Sequence, residues 1–189
     1  MEDLLGINIS SGNVYIKHSS KEQCWVIGED IHEDINYILI DPSTIQTGWG
    51  FYDGGYHFAW DEKPGVKGAQ PTPDYKRAFS VWLYTKEHGP TLWRRFTWGE
   101  GQGFNKMCSL FWSDLKNNEG KVPCIMYKGS KYEKFNVGGS AIPQFEFVKW
   151  VDKPEDFTTV NMDDPIVDDS SNNQVDEPRS TLTDDDLPF

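Results

Sequence analysis

Residues 75–84 read YKRAFSVWLY, and this stretch decides the fold class because its side chains alternate with a period of two. Phe79, Val81 and Leu83 fall on one face, as a buried core requires. The opposite face mixes flat aromatic rings with lysines: Lys76, Trp82, Tyr84 and Lys86. A strand that exposes aromatic rings between lysines predicts a ligand-binding face rather than a second core.

Shorter strand patterns surround this stretch on both sides. They lie at 13–17, 24–27, 35–40, 92–98, 122–127, 131–137 and 145–150. Two aromatic arms, 48–52 and 56–60, flank an Asp-Gly-Gly turn and predict a hairpin. The period changes only between Phe104 and Leu115, where apolar residues recur at helical spacing. We expect this segment to form a helix that ends near 117–120.

The order of strands, one helix and further strands predicts a mainly β fold. A five-stranded barrel of the OB type places its helix between strands 3 and 4 and binds oligonucleotides on one face, so we expect an OB-fold-like barrel with extra N-terminal strands. A β-sandwich with one helical insertion is the alternative. Beyond Pro154 the hydrophobic periodicity stops, which predicts a folded domain at 1–154 and a disordered acidic tail at 155–189.

The net charge of −12 is divided unevenly along the chain. Residues 1–75 carry net −8, residues 76–151 carry net +6, and residues 152–189 carry net −10. The low overall pI therefore does not exclude a nucleic-acid partner, because binding depends on the local field of one face.

The basic block interleaves cations with large rings, as binding to single-stranded nucleic acid requires. The candidate DNA-binding residues are Lys76, Trp82, Tyr84, Lys86, Trp93, Arg94, Arg95, Trp98, Lys128, Lys131, Tyr132 and Lys134. Five other aromatics are expected in the core: Trp25, Phe104, Phe111, Trp112 and Trp150. For the 49–60 hairpin two interpretations stay open, a DNA-gripping arm or a second small core formed by Tyr52, Tyr56 and Trp60.

Other site classes find little support in the sequence. Three cysteines without CxxC spacing and four scattered histidines predict neither a disulfide framework nor a metal site, and no cofactor is expected. The acidic start without an apolar stretch and the lack of a long apolar run predict a cytoplasmic protein without a membrane partner. Asp30, Glu33 and Asp34 cluster, but a nuclease would need carboxylates paired with a lysine.

The chain ends in the six residues Asp184-Asp185-Asp186-Leu187-Pro188-Phe189. Phe189 offers a ring and a terminal carboxylate together, which an apolar pocket rimmed by Arg or Lys can bind. Pro188 lowers the entropy lost on binding, and the three aspartates steer the segment toward a basic rim. This segment therefore predicts a site for partner proteins.

The same six residues resemble the acidic tip of bacterial single-stranded DNA-binding proteins. The resemblance implies a protein that coats single-stranded DNA during replication, recombination or repair, recruits replication and repair proteins through the tip, and forms homo-oligomers. The opening strand, the glycine pattern and the linker composition depart from ordinary members, so the chain is similar to a divergent, phage-encoded member in a bacterial or infected cell. The alternatives are a replication adaptor without DNA binding, a nuclease and a glycan-binding module.

Overall fold

The computed structural model describes residues 14–157, which form ten strands and one α-helix. In chain order the elements are β1 (Tyr15–Ser19), β2 (Cys24–Ile27), β3 (Asp30–His32), β4 (Tyr37–Ile40), β5 (Gln46–Tyr52), β6 (Tyr56–Trp60), β7 (Lys76–Thr85), β8 (Gly89–Arg95), α1 (Trp98–Ser109), β9 (Lys121–Lys134) and β10 (Gly139–Asp152). Two short 3-10 helices, Pro42–Thr44 and Trp112–Asn117, join β4 to β5 and follow α1. The prediction of a mainly β fold is confirmed.

All ten strands belong to one sheet that is not closed into a barrel. Its main path runs β10-β9-β4-β7-β8-β1-β2-β3, and β5 joins β7 while carrying β6 on its other edge. β1 pairs parallel to β8, and the remaining pairs of this sheet are antiparallel. β4 and β5 both pair with the same edge of β7: β5 pairs with its first half and β4 with its last residues. The sheet therefore branches at β7 and does not wrap into the expected five-stranded barrel.

The main core lies between the sheet and α1. Phe79, Val81 and Leu83 are buried in it, as the alternation of β7 predicts. Trp25, Phe104 and Phe111 are also buried, which confirms three of the expected core aromatics. Trp150 is half-buried against the edge of this core. For Trp112, the fifth aromatic residue expected in the core, the prediction was wrong. Trp112 is 44% exposed because α1 ends at Ser109 and the following 3-10 helix breaks the helical period.

Several element boundaries differ from those expected from the sequence: β1 and β4 begin two residues later, and β8 runs from Gly89 to Arg95 instead of over 92–98. α1 begins at Trp98, six residues earlier than the apolar pattern indicates, because Gly99 and Gly103 allow it to pack directly on β10. The patterns at 122–127 and 131–137 belong to one strand, β9, which pairs with β10 along its whole length. Two register shifts in β10 absorb the irregularities of this long pair.

A second, smaller apolar cluster covers the opposite face of the sheet. Trp82, Leu92, Val122 and Phe157 are its buried members. Phe157 lies beyond the domain boundary expected at 154, and its burial brings the start of the tail onto the sheet. The remainder of the expected tail, with the tip at 184–189, lies outside the described residues. Within 14–157 the helices are too short and too polar to span a bilayer.

Candidate nucleic-acid interface

An aromatic ladder runs along β6, formed by Tyr56, Phe58 and Trp60 at alternate positions. The rings of Phe58 and Trp60 are parallel within 4°, with centroids 5.0 Å apart, and the rings of Tyr56 and Phe58 follow at 6.4 Å and 12°. All three side chains are half-buried. The ladder therefore presents a row of flat rings that water and ligands can still reach.

Two glycines in β5 make room for these rings. Gly48 pairs with Trp60 and Gly50 pairs with Phe58. A side chain at either glycine would therefore point to the same side of the sheet as the ladder and occupy the space of its rings. A Cβ at Gly50 would lie 2.7 Å from Cδ1 of Phe96 and 3.0 Å from Cε1 of Phe58, closer than carbon atoms approach. The glycines of the hairpin thus keep one face of the sheet free for aromatic rings.

Arg94 in β8 places a cation over this ladder. Its guanidinium carbon lies 5.4 Å from the ring centroid of Phe58 and 5.5 Å from that of Trp60, within the range of cation–π attraction. The Arg94 Nε donates a hydrogen bond to Oγ of Ser80, 3.2 Å away, which fixes the side chain against the sheet. Burial lowers the pKa of Arg94, but an arginine remains charged at neutral pH.

Two further side chains complete this face. Phe96 packs edge to face on Tyr56 and Phe58, with ring centroids 6.0 and 6.1 Å away. Lys76 pairs with Gly50 across β5 and β7, so its exposed ammonium group lies on the same side of the sheet as the ladder. The face therefore combines an aromatic row, a fixed guanidinium and an exposed lysine.

Trp82 and Trp93 do not belong to an exposed face, and the expectation that they offer stacking platforms was wrong. Trp82 is 2% exposed and Trp93 is not exposed at all. Trp82 does point away from Phe79, Val81 and Leu83 as the alternation requires, but the second cluster covers that side of β7. Trp93 points into the main core, where its ring meets that of Trp25.

Tyr84 is partly covered by the start of the tail. Its hydroxyl donates to a carboxylate oxygen of Asp156, 2.8 Å away, and its ring lies 5.3 Å from that of Phe157. Lys86 is exposed in the turn between β7 and β8. The carboxylate of Asp156 beside Tyr84 would repel a phosphate group. The face of β7 that was predicted to contact DNA is therefore covered at Tyr84 by the protein's own acidic segment.

Arg95 and Trp98 serve the fold at the start of α1. Arg95 Nε donates to Oε2 of Glu100 at 2.7 Å, and the buried Glu100 also accepts hydrogen bonds from Trp93 Nε1 and the His18 amide. Burial alone would raise the pKa of Glu100, but Arg95 and these donors outweigh burial and hold the pKa below its usual value. Trp98 packs edge to face on Phe135, with ring centroids 4.7 Å apart.

The remaining predicted residues lie on β9, toward the β9–β10 hairpin. Lys128 pairs with Glu146 at 3.6 Å, and Lys131 pairs with Glu133 at 3.4 Å. These ion pairs are exposed and weak, so both lysines can still attract an anion. Tyr132 is 46% exposed and Lys134 is exposed.

The structure therefore divides the predicted residues into two surface groups. Lys76 and Arg94 join the aromatic ladder, and Lys128, Lys131, Tyr132 and Lys134 form the second group on β9. In the chain, Arg94 of the first group lies four residues before Trp98, whose ring packs on Phe135 next to Lys134 of the second group. Phe58 and Phe96 were not among the predicted residues. The alternation of aromatics in β6 opposite Gly48 and Gly50 was an available signal for Phe58, whereas Phe96 follows β8 and no sequence pattern indicated it.

One cluster could suggest a nucleophile, because Oγ of Ser130 lies 2.8 Å from Nε2 of His18. The Tyr127 hydroxyl lies equally close to the same nitrogen, and both hydroxyls share the Gln23 carbonyl as acceptor. Burial lowers the pKa of His18 to about 4, against a smaller raising effect of Glu100. His18 Nδ1 has no hydrogen-bond partner among residues 14–157, and Nε2 is shared between the Tyr127 and Ser130 hydroxyls. The cluster is a hydrogen-bonded link in the fold.

Comparisons with known proteins do not assign this surface. No family model, no curated protein and no solved structure matches the chain.

Proposed function

We propose that this protein binds single-stranded DNA, without sequence preference, on the face built by the aromatic ladder, Phe96, Arg94 and Lys76. The observation that carries the proposal is the position of the Arg94 guanidinium over the half-exposed rings of Phe58 and Trp60. Such a surface offers π faces and edges to bases and a positive charge to phosphates. Both are needed for sequence-tolerant binding.

The charge distribution supports the same face. Asp61, the carboxylate that follows the ladder in sequence, is buried against Arg77 in a bidentate ion pair with N–O distances of 3.2 and 2.8 Å. Its negative charge is therefore neutralised by an arginine that does not face the ladder. Lys76 and Arg94 place positive charge on the side of the sheet that carries the ladder, and a local positive charge can attract a polyanion despite the acidic total.

We propose the β9–β10 hairpin as an extension of the binding surface. Tyr132 adds an exposed ring and Lys134 an exposed cation. A strand of nucleotides that leaves the ladder near Phe96 would pass Trp98 and reach this hairpin. The proposal does not depend on an OB-type barrel, because an open sheet can present the same combination of rings and cations.

Recruitment of replication and repair proteins through Asp184–Phe189 is part of the same proposal. It rests on the sequence of the tip and on its resemblance to the acidic tips of single-stranded DNA-binding proteins. An aromatic ring that follows a run of aspartates suits a basic, apolar pocket on a partner.

The test is a titration with dT oligonucleotides at two salt concentrations, following tryptophan fluorescence. We expect quenching and an affinity that falls steeply with salt, because phosphate binding releases counterions. Trp60→Ala should weaken binding about 5- to 150-fold, since one base stack is worth about 1–3 kcal/mol. Lys76→Gln should weaken binding and reduce the salt slope by about one.

Trp112→Ala is the matched control, because Trp112 is exposed but lies on the 3-10 helix after α1, away from the ladder. It should leave affinity unchanged, and circular dichroism should show each variant folded. Equal losses in Trp60→Ala and Trp112→Ala would contradict the assigned face. Absence of binding in the wild type would favour the adaptor function, in which only the tip is used.

A further inference from the structure

Three side chains from two distant parts of the chain converge beside the β7–β8 turn. His32 ends β3, Asp34 follows two residues later, and His88 lies in the turn before β8. Nδ1 of His32 lies 3.7 Å from Oδ1 of Asp34, and Nε2 of His88 lies 3.5 Å from Oδ2 of the same carboxylate. The two imidazole rings are 4.3 Å apart, so all three ligand atoms lie within 4.8 Å of one another.

These separations suit a metal ion. Zn²⁺ binds imidazole nitrogen and carboxylate oxygen at about 2.0–2.2 Å in a tetrahedral arrangement, which places neighbouring ligand atoms about 3.4 Å apart. The distances from the two imidazole nitrogens to Asp34, which end at Oδ1 and Oδ2 respectively, exceed that value by only a few tenths of an ångström. The ligand atoms of the three residues are at most 4.8 Å apart, so a rotation of the side chains would bring them to tetrahedral spacing. Two imidazoles and one carboxylate favour zinc or a similar transition metal over Mg²⁺ and Ca²⁺, which prefer oxygen ligands.

The state of the His88 side chain is a second, independent indication. Its Nε2 is shielded from solvent but makes no hydrogen bond to any residue in the described range 14–157. Its contact with Oδ2 of Asp34, at 3.5 Å, is too long or poorly aligned to count as a hydrogen bond. A shielded nitrogen without a hydrogen bond costs free energy, and coordination of a cation would satisfy it. The imidazoles of His32 and His88 are both mostly covered, with 21% of each side chain exposed, whereas Asp34 opens to solvent.

The surrounding charge also favours a cation. The segment that carries two of the ligands contains four acidic residues: Glu29, Asp30, Glu33 and Asp34. Glu87 precedes His88 in the turn. Negative potential concentrates divalent cations at such a site before they bind.

We propose that His32, Asp34 and His88 form a three-ligand Zn²⁺ site whose fourth position is open to water. The bound ion would join the segment after β3 to the β7–β8 turn and so fasten the outer strands of the sheet to its centre. The site is separate from the aromatic ladder, and the proposal holds or fails independently of DNA binding. The sequence did not reveal it because His88 lies 54 positions beyond Asp34, outside any short ligand motif.

The experiment uses the full chain and Zn²⁺ alone, in isothermal titration calorimetry and in thermal unfolding. We expect one equivalent of Zn²⁺ to bind and to raise the unfolding midpoint, because an ion that binds the folded state stabilises it. Asp34→Asn and His88→Gln should each weaken binding by more than tenfold, since even the loss of an outer-shell partner costs about 10- to 100-fold. Co²⁺ in place of Zn²⁺ should give the visible absorption of a four-coordinate site.

His57→Gln is the matched control, because His57 is exposed on β6 and has no part in the cluster. It should bind Zn²⁺ as the wild type does. Asp34 is 57% exposed, so Asp34→Asn tests the site even if His88→Gln disturbs the turn. Unchanged Zn²⁺ affinity in Asp34→Asn, or absence of stoichiometric binding to the wild type, would overturn the proposal.

Discussion

The imidazole of His18 shows how one buried residue couples this fold to pH. Its Nε2 lies 2.8 Å from both the Tyr127 hydroxyl and the Ser130 hydroxyl, which joins β1 to β9. Burial lowers the pKa to about 4, and the nearby Glu100 carboxylate offsets only part of that effect. The ring is therefore neutral in the folded protein across the neutral and mildly acidic range.

We expect the free energy of unfolding to fall as pH decreases from about 6.5 to about 4. In this range His18 is protonated in the unfolded chain but stays neutral in the folded protein, so a decrease in pH favours the unfolded state. The shift from 6.5 to about 4 corresponds to a loss of about 3 kcal/mol. Urea unfolding at a series of pH values between 7.5 and 4 measures this change.

The control is His18→Gln, which keeps a polar group of similar reach but does not titrate. The variant should lose less stability over the same pH range than the wild type does. Parallel pH profiles for the two proteins would show that His18 does not carry this dependence.

Single residues show where sequence patterns stop being informative. The alternation in β7 placed Trp82 on the correct face, but the residues that cover this face, Val122 and Phe157, lie 40 and 75 positions away. A period of two indicates which side chains of a strand share a face. It does not indicate whether residues from other parts of the chain cover that face. The same limit explains Trp93, whose ring meets Trp25 across the main core.

At the scale of elements, α1 carries three glycines whose surroundings differ. An added Cβ at Gly101 meets no atom within 4 Å, whereas a Cβ at Gly103 would lie 2.7 Å from Cδ of Pro143 and closer still to Cγ. The proline ring is rigid and belongs to β10, so it cannot move aside without shifting the strand. Gly103 therefore sets the distance between α1 and the sheet.

We expect Gly101→Ala to stabilise the protein by about 0.5–1 kcal/mol, because alanine loses less backbone entropy than glycine in a helix. Gly103→Ala should destabilise it by about 1–3 kcal/mol through overpacking against Pro143. Urea unfolding of the two variants beside the wild type gives both values. Equal effects of the two substitutions would mean that α1 does not pack on β10 at Gly103.

The element pattern was largely predictable because it is local. The hairpin at 48–60 and the strands around 24–27 and 75–84 follow from period-two alternation and turn residues, and the strand expected at 92–98 is found in its first part as β8, which ends at Arg95. The start of α1 did not follow from its sequence, because Gly99 and Gly103 weaken the helical pattern and are needed only for contact with β10. Close packing between elements overrides intrinsic helix propensity there.

For the whole molecule, the pairing of strands determines whether the sheet closes into a barrel, and the order of elements in the sequence does not. The order of elements fitted a five-stranded barrel, but β7 pairs with both β4 and β5 along one edge and the sheet branches. The candidate DNA-binding face follows from that branch, since β5 and β6 extend the sheet beside Arg94. The hairpin aromatics were open to two interpretations in the sequence. Phe58 and Trp60 are half-buried beside the Arg94 guanidinium, which supports the binding surface that we propose, whereas Tyr52 is exposed away from these contacts.

The fold also depends on its last described residue, because Phe157 closes the second cluster over Trp82. We expect Phe157→Ala in the full chain to reduce the free energy of unfolding by about 3 kcal/mol, the usual cost of removing a buried phenylalanine ring. Tryptophan emission should shift to longer wavelength as Trp82 becomes hydrated. Trp112→Ala, which removes an exposed ring, should change stability by less than about 0.5 kcal/mol. If Phe157→Ala is as stable as the wild type, the folded unit ends near Pro154, and the face of Tyr84 and Trp82 becomes available to DNA again.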